Sequence, residues 1–145
     1  PNLNDQILKE LKINDDNLKV KSTPSKVSQI LHSGQKDAPF DNSFHYRSLI
    51  GKLKYLEKAT RSNISYITHQ CARFTSNPKA MHAKAIRWIA RYLKGTREKG
   101  FVMSPDQTKG IEVYVDADFS GNWHRDDSSD VSTARSRHGY ICVLA

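Results

Sequence analysis

Apolar residues recur with the period of an α-helix through the first two-thirds of the 145-residue chain. Near the N-terminus, the spacing of Leu3, Ile7 and Leu11 predicts one short helix. The stretch that follows, as far as residue 44, is rich in Asn, Asp, Ser and Pro, which predicts a long loop. Such a long extended segment is unusual inside one compact domain. We therefore expect residues 1–44 to end in a connector between two bodies.

Three more helices are predicted between residues 45 and 99, and their short connections favour a small bundle. The first contains Gly51, which costs about 1 kcal/mol relative to Ala in a helix and is expected to permit a close helix crossing. The third runs from Pro78, which suits a first helical position, to Gly95, which suits the position after the end. The candidate N-caps of the three helices are Asp41, Asn42 or Ser43, then Ser62 or Asn63, then Asn77. Their apolar faces are Tyr46, Leu49, Ile50, Leu53 and Leu56; Ile64, Ile67, Cys71 and Phe74; and Met81, Ala85, Trp88, Ile89 and Tyr92.

The last third of the chain changes to the pattern of β-strands. Strands are predicted at 101–103, 111–115 and 140–144, with a polar loop at 120–137. The fold class is therefore predicted to be α+β, a three-helix bundle followed by an incomplete sheet. The open edge of that sheet needs a cover.

The net charge of +8 is concentrated in the middle of the chain. Residues 45–100 hold thirteen Lys and Arg against two acids, whereas residues 1–44 are neutral and residues 101–145 carry a net charge of −3. A local excess of this size favours a polyanionic partner such as nucleic acid.

Two rows of cations are expected on the bundle. One helical face of the third helix should carry the first row, which Arg97 extends past the helix end. The rows would contact phosphates without reading bases, although an ordinary solvated face would have the same pattern. The first row is Lys84, Arg87, Arg91 and Lys94, and the second is Arg47, Lys54 and Lys58.

Other candidate chemistry is sparse. Asp116 and Asp118 follow a predicted strand and could ligate Mg²⁺, although Asp is also common where a strand becomes a turn. The two cysteines, Cys71 and Cys142, form no metal motif and are expected to be buried thiols in a reducing compartment. The six histidines make no ligand pattern. The sequence shows no membrane span or signal peptide, and because it begins with Pro1 it is expected to be a fragment.

Several blocks of residues resemble Pol polyproteins of copia-type LTR retrotransposons. The run at 44–56, FHYRSLIGKLKYL, is similar to that family's motif Tyr-Arg-Ser-hydrophobic-Ile-Gly-x-Leu-x-Tyr-Leu. The blocks ARF and NP at 72–78, His82, and RYLKGT at 91–96 continue the resemblance in order. YVDADFSG at 114–121 and TARSR at 133–137 resemble the start of the family's RNase H domain. Two departures are Arg61–Ile64, where the family has Arg-Pro-Asp-Ile, and His138, where a small hydroxyl residue is usual.

The resemblance implies a layout in three parts. Residues 1–44 would be the polymerase palm tail and connector, residues 45–99 the reverse transcriptase thumb, and residues 100–145 the opening of an RNase H-like domain. Asp116 would be the first catalytic carboxylate of that domain, with Mg²⁺ needed only in the complete domain. The polymerase aspartates and the later RNase H carboxylates lie outside this chain.

The function implied is sequence-independent grip of an RNA–DNA hybrid or DNA duplex, without catalysis by this fragment alone. The remainder of the Pol polyprotein would be a partner, and the location would be cytoplasmic, in a virus-like particle, or nuclear. Two alternatives stay open at this point. One is residual Mg²⁺-dependent ribonuclease H activity at Asp116, and the other is a basic helical module that binds an acidic protein.

Overall fold

The computed structural model describes residues 2–13, 19–27, 29–34, 36–100 and 110–144, together with residues 102, 104, 106 and 108. The chain divides into two compact units, Pro1–Gly100 and Phe101–Ala145, called unit 1 and unit 2 below. Unit 1 is helical, and unit 2 contains the strands. The mixed α+β class expected from the sequence is therefore confirmed.

Within the described part of unit 1 there are four α-helices: α1 (Leu3–Glu10), α2 (Tyr46–Ala59), α3 (Ser65–Ala72) and α4 (Ala80–Gly95). A 3-10 turn at Ser62–Ile64 leads into α3. Helix α2 packs against α1 and α3, and α4 packs against the same two helices. The bundle therefore includes α1 as a fourth helix, because Ile7 and Leu8 of α1 are buried in the same core.

The starts of α2, α3 and α4 all differ from those predicted, and α3 begins at Ser65 with Ile64 in the cap position instead of Ser62 or Asn63. His45 caps α2, since its Nδ1 accepts from the Ser48 N–H at 3.1 Å, and the expected caps at 41–43 lie outside the helix. Asp41 instead accepts hydrogen bonds from Ser43, which lower the pKa of its carboxyl group. Helix α4 starts at Ala80, after Asn77 and Pro78, because the His82 ring accepts the backbone N–H of Lys79.

The segment that the sequence assigned to a connector packs into unit 1. Leu31 is only 1% exposed, and Phe40 and Phe44 also belong to the core. The two phenyl rings lie 4.8 Å apart between centroids. A polar loop is held in this way because a few apolar side chains spaced along it reach the helical core. The described residues 19–44 are therefore part of the helical unit rather than a link between units.

Unit 2 is built on a two-stranded antiparallel sheet of β1 (Ile111–Asp118) and β2 (Arg137–Leu144). The register pairs Ile111 with Leu144 and Asp118 with Arg137. Both strands extend beyond their predicted ends toward the loop between them, which contains two 3-10 turns at Arg125–Asp127 and Val131–Ala134. The strand predicted at 101–103 lies outside the described residues except for Val102, which is in no regular element.

The two cysteines differ in exposure, so the expectation that both are buried is wrong for Cys142. Cys71 is fully buried in α3, and burial raises the pKa of its thiol to about 12. Since the thiolate is the reactive species, we expect iodoacetamide at pH 8 to modify Cys142 and leave Cys71 unmodified until the chain is denatured. Peptide mass mapping checks this, and alkylation of Cys71 in the native chain would contradict the packing described for α3.

Candidate nucleic-acid interface

The second predicted row of cations lies on α2, is called the α2 row below, and is exposed to solvent as predicted. Arg47, Lys54 and Lys58 are all exposed, and their spacing places them on one face of α2. Among the residues that the structure describes, none of the three forms an ion pair with a carboxylate. By contrast, the neighbouring Lys52 pairs with Glu10 at 2.6 Å. The α2 row therefore presents uncompensated positive charge.

Gly51 lies within this row and is exposed. A Cβ built on it would meet nothing within 4 Å, so none of the described helices crosses there and the expected close crossing is wrong. An exposed glycine in the middle of a helix costs about 1 kcal/mol relative to Ala and gains no packing in return. Tyr55, one turn further on, is 69% exposed. The surface formed by Arg47, Gly51, Lys54, Tyr55 and Lys58 is called the α2 face below.

Two open clefts flank Arg47. The larger has a volume of about 610 Å³ and extends toward Phe40, Phe44 and Pro78. The smaller, of about 410 Å³, extends past Gly51 and Lys54. Arg47 lines both clefts and therefore contributes to the wall of each.

The first predicted row of cations lies on α4 and is called the α4 row below. It occupies the side of the helix opposite the buried residues Ile86, Ile89 and Leu93. Lys84 is exposed, whereas the other three side chains are half-buried. Part of this burial comes from a loop that the sequence did not place on α4. The half-buried members are Arg87, Arg91 and Lys94.

Arg87 in this row and Arg97 beyond its end both have polar partners within unit 1. Arg87 donates to the Ser43 hydroxyl at 2.6 Å and lies over the Phe44 ring, so α4 is tied to the residues that precede α2. Arg87 also contributes, after the hydrogen bonds from Ser43, to the lowered pKa of Asp41. Arg97 donates to the carboxylate of Asp5 in α1, so its charge is compensated within unit 1.

Sequence reasoning missed the loop that contributes two further cations to the α4 row. The described residues 19–27 are called the strap below. The Nζ atoms of Lys21 and Lys26 lie 4.0 and 5.9 Å from the centroid of the Trp88 ring. No periodic pattern in the sequence links a loop lysine to a helix, although the unusual density of lysines in this loop was visible.

Asp116 and Asp118 lie on the same face of β1 but have different surroundings. Asp118 accepts the backbone N–H of Arg137 at 2.9 Å and lies against Gly121, so it closes the end of the sheet. Asp116 is exposed opposite Gly139, where a side chain would meet nothing within 4 Å. No group of three potential metal ligands within the described ranges includes Asp116. These residues alone do not fit a two-metal site, which needs several converging carboxylates.

The chain is thus an α+β protein that contains a basic helical unit and an acidic unit with a two-stranded sheet. Comparison with known proteins gives a narrower result. The chain is 36% identical over 114 residues to the retrovirus-related Pol polyprotein from transposon RE1 of Arabidopsis thaliana, and 33% identical over 114 residues to that from transposon RE2 of the same plant. It is 35% identical over 100 residues to the Pol polyprotein from transposon TNT 1-94 of Nicotiana tabacum.

The first two of these matches cover 79% of this chain and the third covers 69%, but each spans only 7% of the relative. The chain therefore corresponds in sequence to a segment of retrotransposon Pol polyproteins, which confirms the resemblance drawn from its motifs. No family model matches the chain, and no solved structure gives a significant match. None of the described helices is long and apolar enough to cross a bilayer.

Proposed function

We propose that unit 1 grips a nucleic-acid duplex, either RNA–DNA hybrid or DNA, by its phosphates and without reading its sequence. The observation that carries this proposal is the α2 face, where three exposed cations without carboxylate partners surround an exposed glycine. Glycine lets another backbone approach a helix closely. The proposed layout makes residues 45–99 a reverse transcriptase thumb, with the rest of a Pol polyprotein as its partner.

The chemistry of the α2 face suits a phosphate backbone better than base edges. Lys and Arg that neutralise phosphates release condensed counterions, and this term is independent of sequence. Arg and Lys also bind bases, but base readout needs side chains held against a groove edge by neighbouring residues. Arg47, Lys54 and Lys58 are exposed and unpaired in the described structure, so nothing in it orients them for such readout.

Substitution of Gly51 gives a direct test of this proposal. Gly51→Ala is expected to raise the free energy of unfolding by about 1 kcal/mol, because alanine favours a helix and has free space there. It should nevertheless weaken duplex binding by about fivefold, a loss of roughly 1 kcal/mol of contact. Gly51→Leu should weaken binding further, because its larger side chain keeps the polymer further from α2.

Chemical denaturation and fluorescence anisotropy with a labelled hybrid measure the two effects separately. A loss of affinity in a variant that is more stable than the parent chain cannot come from unfolding. Unchanged affinity in both Gly51 variants would show that no polymer approaches α2 at this position.

For unit 2, we propose that it is the opening part of an RNase H-like domain, in which Asp116 is one carboxylate of a Mg²⁺ site. Its support is the exposed position of Asp116 beside the open space at Gly139. The further carboxylates would have to come from residues outside this chain. We therefore expect no nuclease activity from this chain alone.

A further inference from the structure

The strap lies along the outer side of α4, where hydrogen bonds and close packing hold it in addition to the two lysines over Trp88. The backbone N–H of Lys21 donates to the carbonyl of Arg91 at 3.5 Å, and the Trp88 indole N–H donates to the carbonyl of Thr23 at 2.9 Å. Val20 lies so close to Gly95 that a Cβ built on the glycine would be 3.0 Å from the Val20 Cβ. Gly95 therefore permits the strap to lie against the end of α4.

Positive charge is crowded where the strap meets α4. The ammonium groups of Lys21 and Lys26 share the Trp88 ring, whose face attracts a cation but does not cancel the repulsion between two of them. Arg91 lies on the same side of α4, and its buried Nε has no hydrogen-bond partner among the described residues. Lys84 is one turn before Trp88 on that side. In the described ranges, no carboxylate pairs with any of these four cations.

We propose that the strap and α4 together form a second phosphate-binding surface, which takes consecutive phosphates of a nucleic-acid strand between Lys21, Lys26 and Arg91. This inference rests on the proposed function for the identity of the polymer. Phosphate is favoured because none of these four cations has a carboxylate partner among the described residues, and because guanidinium and ammonium groups are the usual phosphate ligands. A bound phosphate removes the repulsion between the two lysines.

Phosphate binding and docking of the strap should be coupled. A ligand that touches both the strap and α4 favours the docked strap, and by reciprocity a docked strap binds the ligand more tightly. Trp88 reports on this coupling, because its indole ring is covered by the strap lysines and its N–H is bonded to the strap. The chain contains two tryptophans, so replacement of Trp123 by Phe leaves Trp88 as the sole emitter.

The experiment uses the full chain with Trp123→Phe, and it measures quenching of Trp88 by acrylamide. The probes are inorganic tripolyphosphate, a mixed-sequence single-stranded oligonucleotide and an RNA–DNA hybrid. We expect each probe to protect Trp88, and we expect Lys21→Ala with Lys26→Ala to weaken the protection at least about tenfold, since two contacts are lost. The control is Lys9→Ala with Lys12→Ala, which removes the same charge from the end of α1, outside the strap and the α4 row. It should change the protection of Trp88 by less than about twofold.

A second variant tests the position of the strap without changing the charge of the chain. Gly95→Val keeps every cation but places a branched side chain against Val20, so the strap should detach and Trp88 should become more quenchable without any probe. Binding of tripolyphosphate should weaken in this variant as well. Circular dichroism at 222 nm confirms that the helices are retained.

The outcomes separate this inference from the proposed function. A chain that binds the hybrid but leaves Trp88 unprotected overturns the inference and leaves the proposed function intact. A chain in which tripolyphosphate protects Trp88 but the hybrid does not bind overturns the proposed function and leaves the phosphate surface intact. Protection by polyglutamate that exceeds protection by tripolyphosphate would overturn the choice of phosphate in favour of an acidic protein.

Discussion

Replacement of His82 by alanine is expected to lower the free energy of unfolding of unit 1 by about 3 kcal/mol. The imidazole is fully buried and stacks on Phe74 with a centroid distance of 4.1 Å. Its Nδ1 accepts the backbone N–H of Lys79 at 2.9 Å, so the ring proton is on Nε2, which lies 2.8 Å from the carbonyl oxygen of His32. The alanine variant leaves a cavity and two unsatisfied backbone groups.

Two further variants divide this effect into its parts. His82→Phe keeps an aromatic ring beside Phe74 but loses both hydrogen bonds, so we expect an intermediate loss of about 2 kcal/mol. His138→Ala removes an exposed ring from β2 and should change stability by less than about 0.5 kcal/mol. Urea unfolding followed at 222 nm reports on the helices. A His82→Ala variant as stable as the parent would show that the ring does not join the loop to α4.

His82 also shows where sequence reasoning stopped. The six histidines gave no ligand pattern, and nothing in the spacing indicated that one of them connects a loop to the start of a helix. That role depends on His32, fifty residues away along the chain. The periodicity predicted the existence of α1, α2, α3 and α4 because each buries residues three and four apart.

The helix faces and starts were harder to predict than the helices themselves. Met81 and Trp88 were expected in the apolar face of α4, but they are only partly buried, and Ile86 and Leu93 fill the core instead. Both side chains lie on the flanks of α4, where Trp88 contacts the strap and Met81 lies close to Gly34, rather than in the centre of the helical core. A helix flanked by loops has a wider buried surface than its periodicity alone indicates.

The candidate site was only partly visible in the sequence. Spacing alone placed Arg47, Lys54 and Lys58 on one exposed face, because all three lie within one uninterrupted helix. Spacing could not show that Arg97 pairs with Asp5 or that the strap brings Lys21 to Trp88. Those contacts join segments far apart in the chain, and a single sequence carries no periodic signal for them.

Loss of two charges from the α2 face is expected to have the largest effect on binding. Arg47→Ala with Lys54→Ala should weaken affinity for an RNA–DNA hybrid by about 60-fold at 0.1 M salt, since each phosphate contact there is worth roughly 8-fold by counterion release. Both side chains are exposed, so the fold should be retained. The control is again Lys9→Ala with Lys12→Ala, which has the same net charge and should bind within about twofold of the parent chain.

Equal losses in the two double variants would contradict a localised grip. That result would mean that only the net charge of +8 matters, as for any basic protein, and that the α2 face has no special part. Fluorescence anisotropy at constant ionic strength distinguishes the two cases.

The salt dependence of hybrid affinity tests the central claim most directly. If the cations of unit 1 hold the polymer by its phosphates, the logarithm of the association constant falls linearly with the logarithm of salt concentration, with a slope of about −0.9 per contact. Removal of Arg47 and Lys54 should then reduce the slope by about 1.8, and a second hybrid of unrelated sequence should give the same line. A flat salt response, or a slope unchanged in the double variant, would contradict the account.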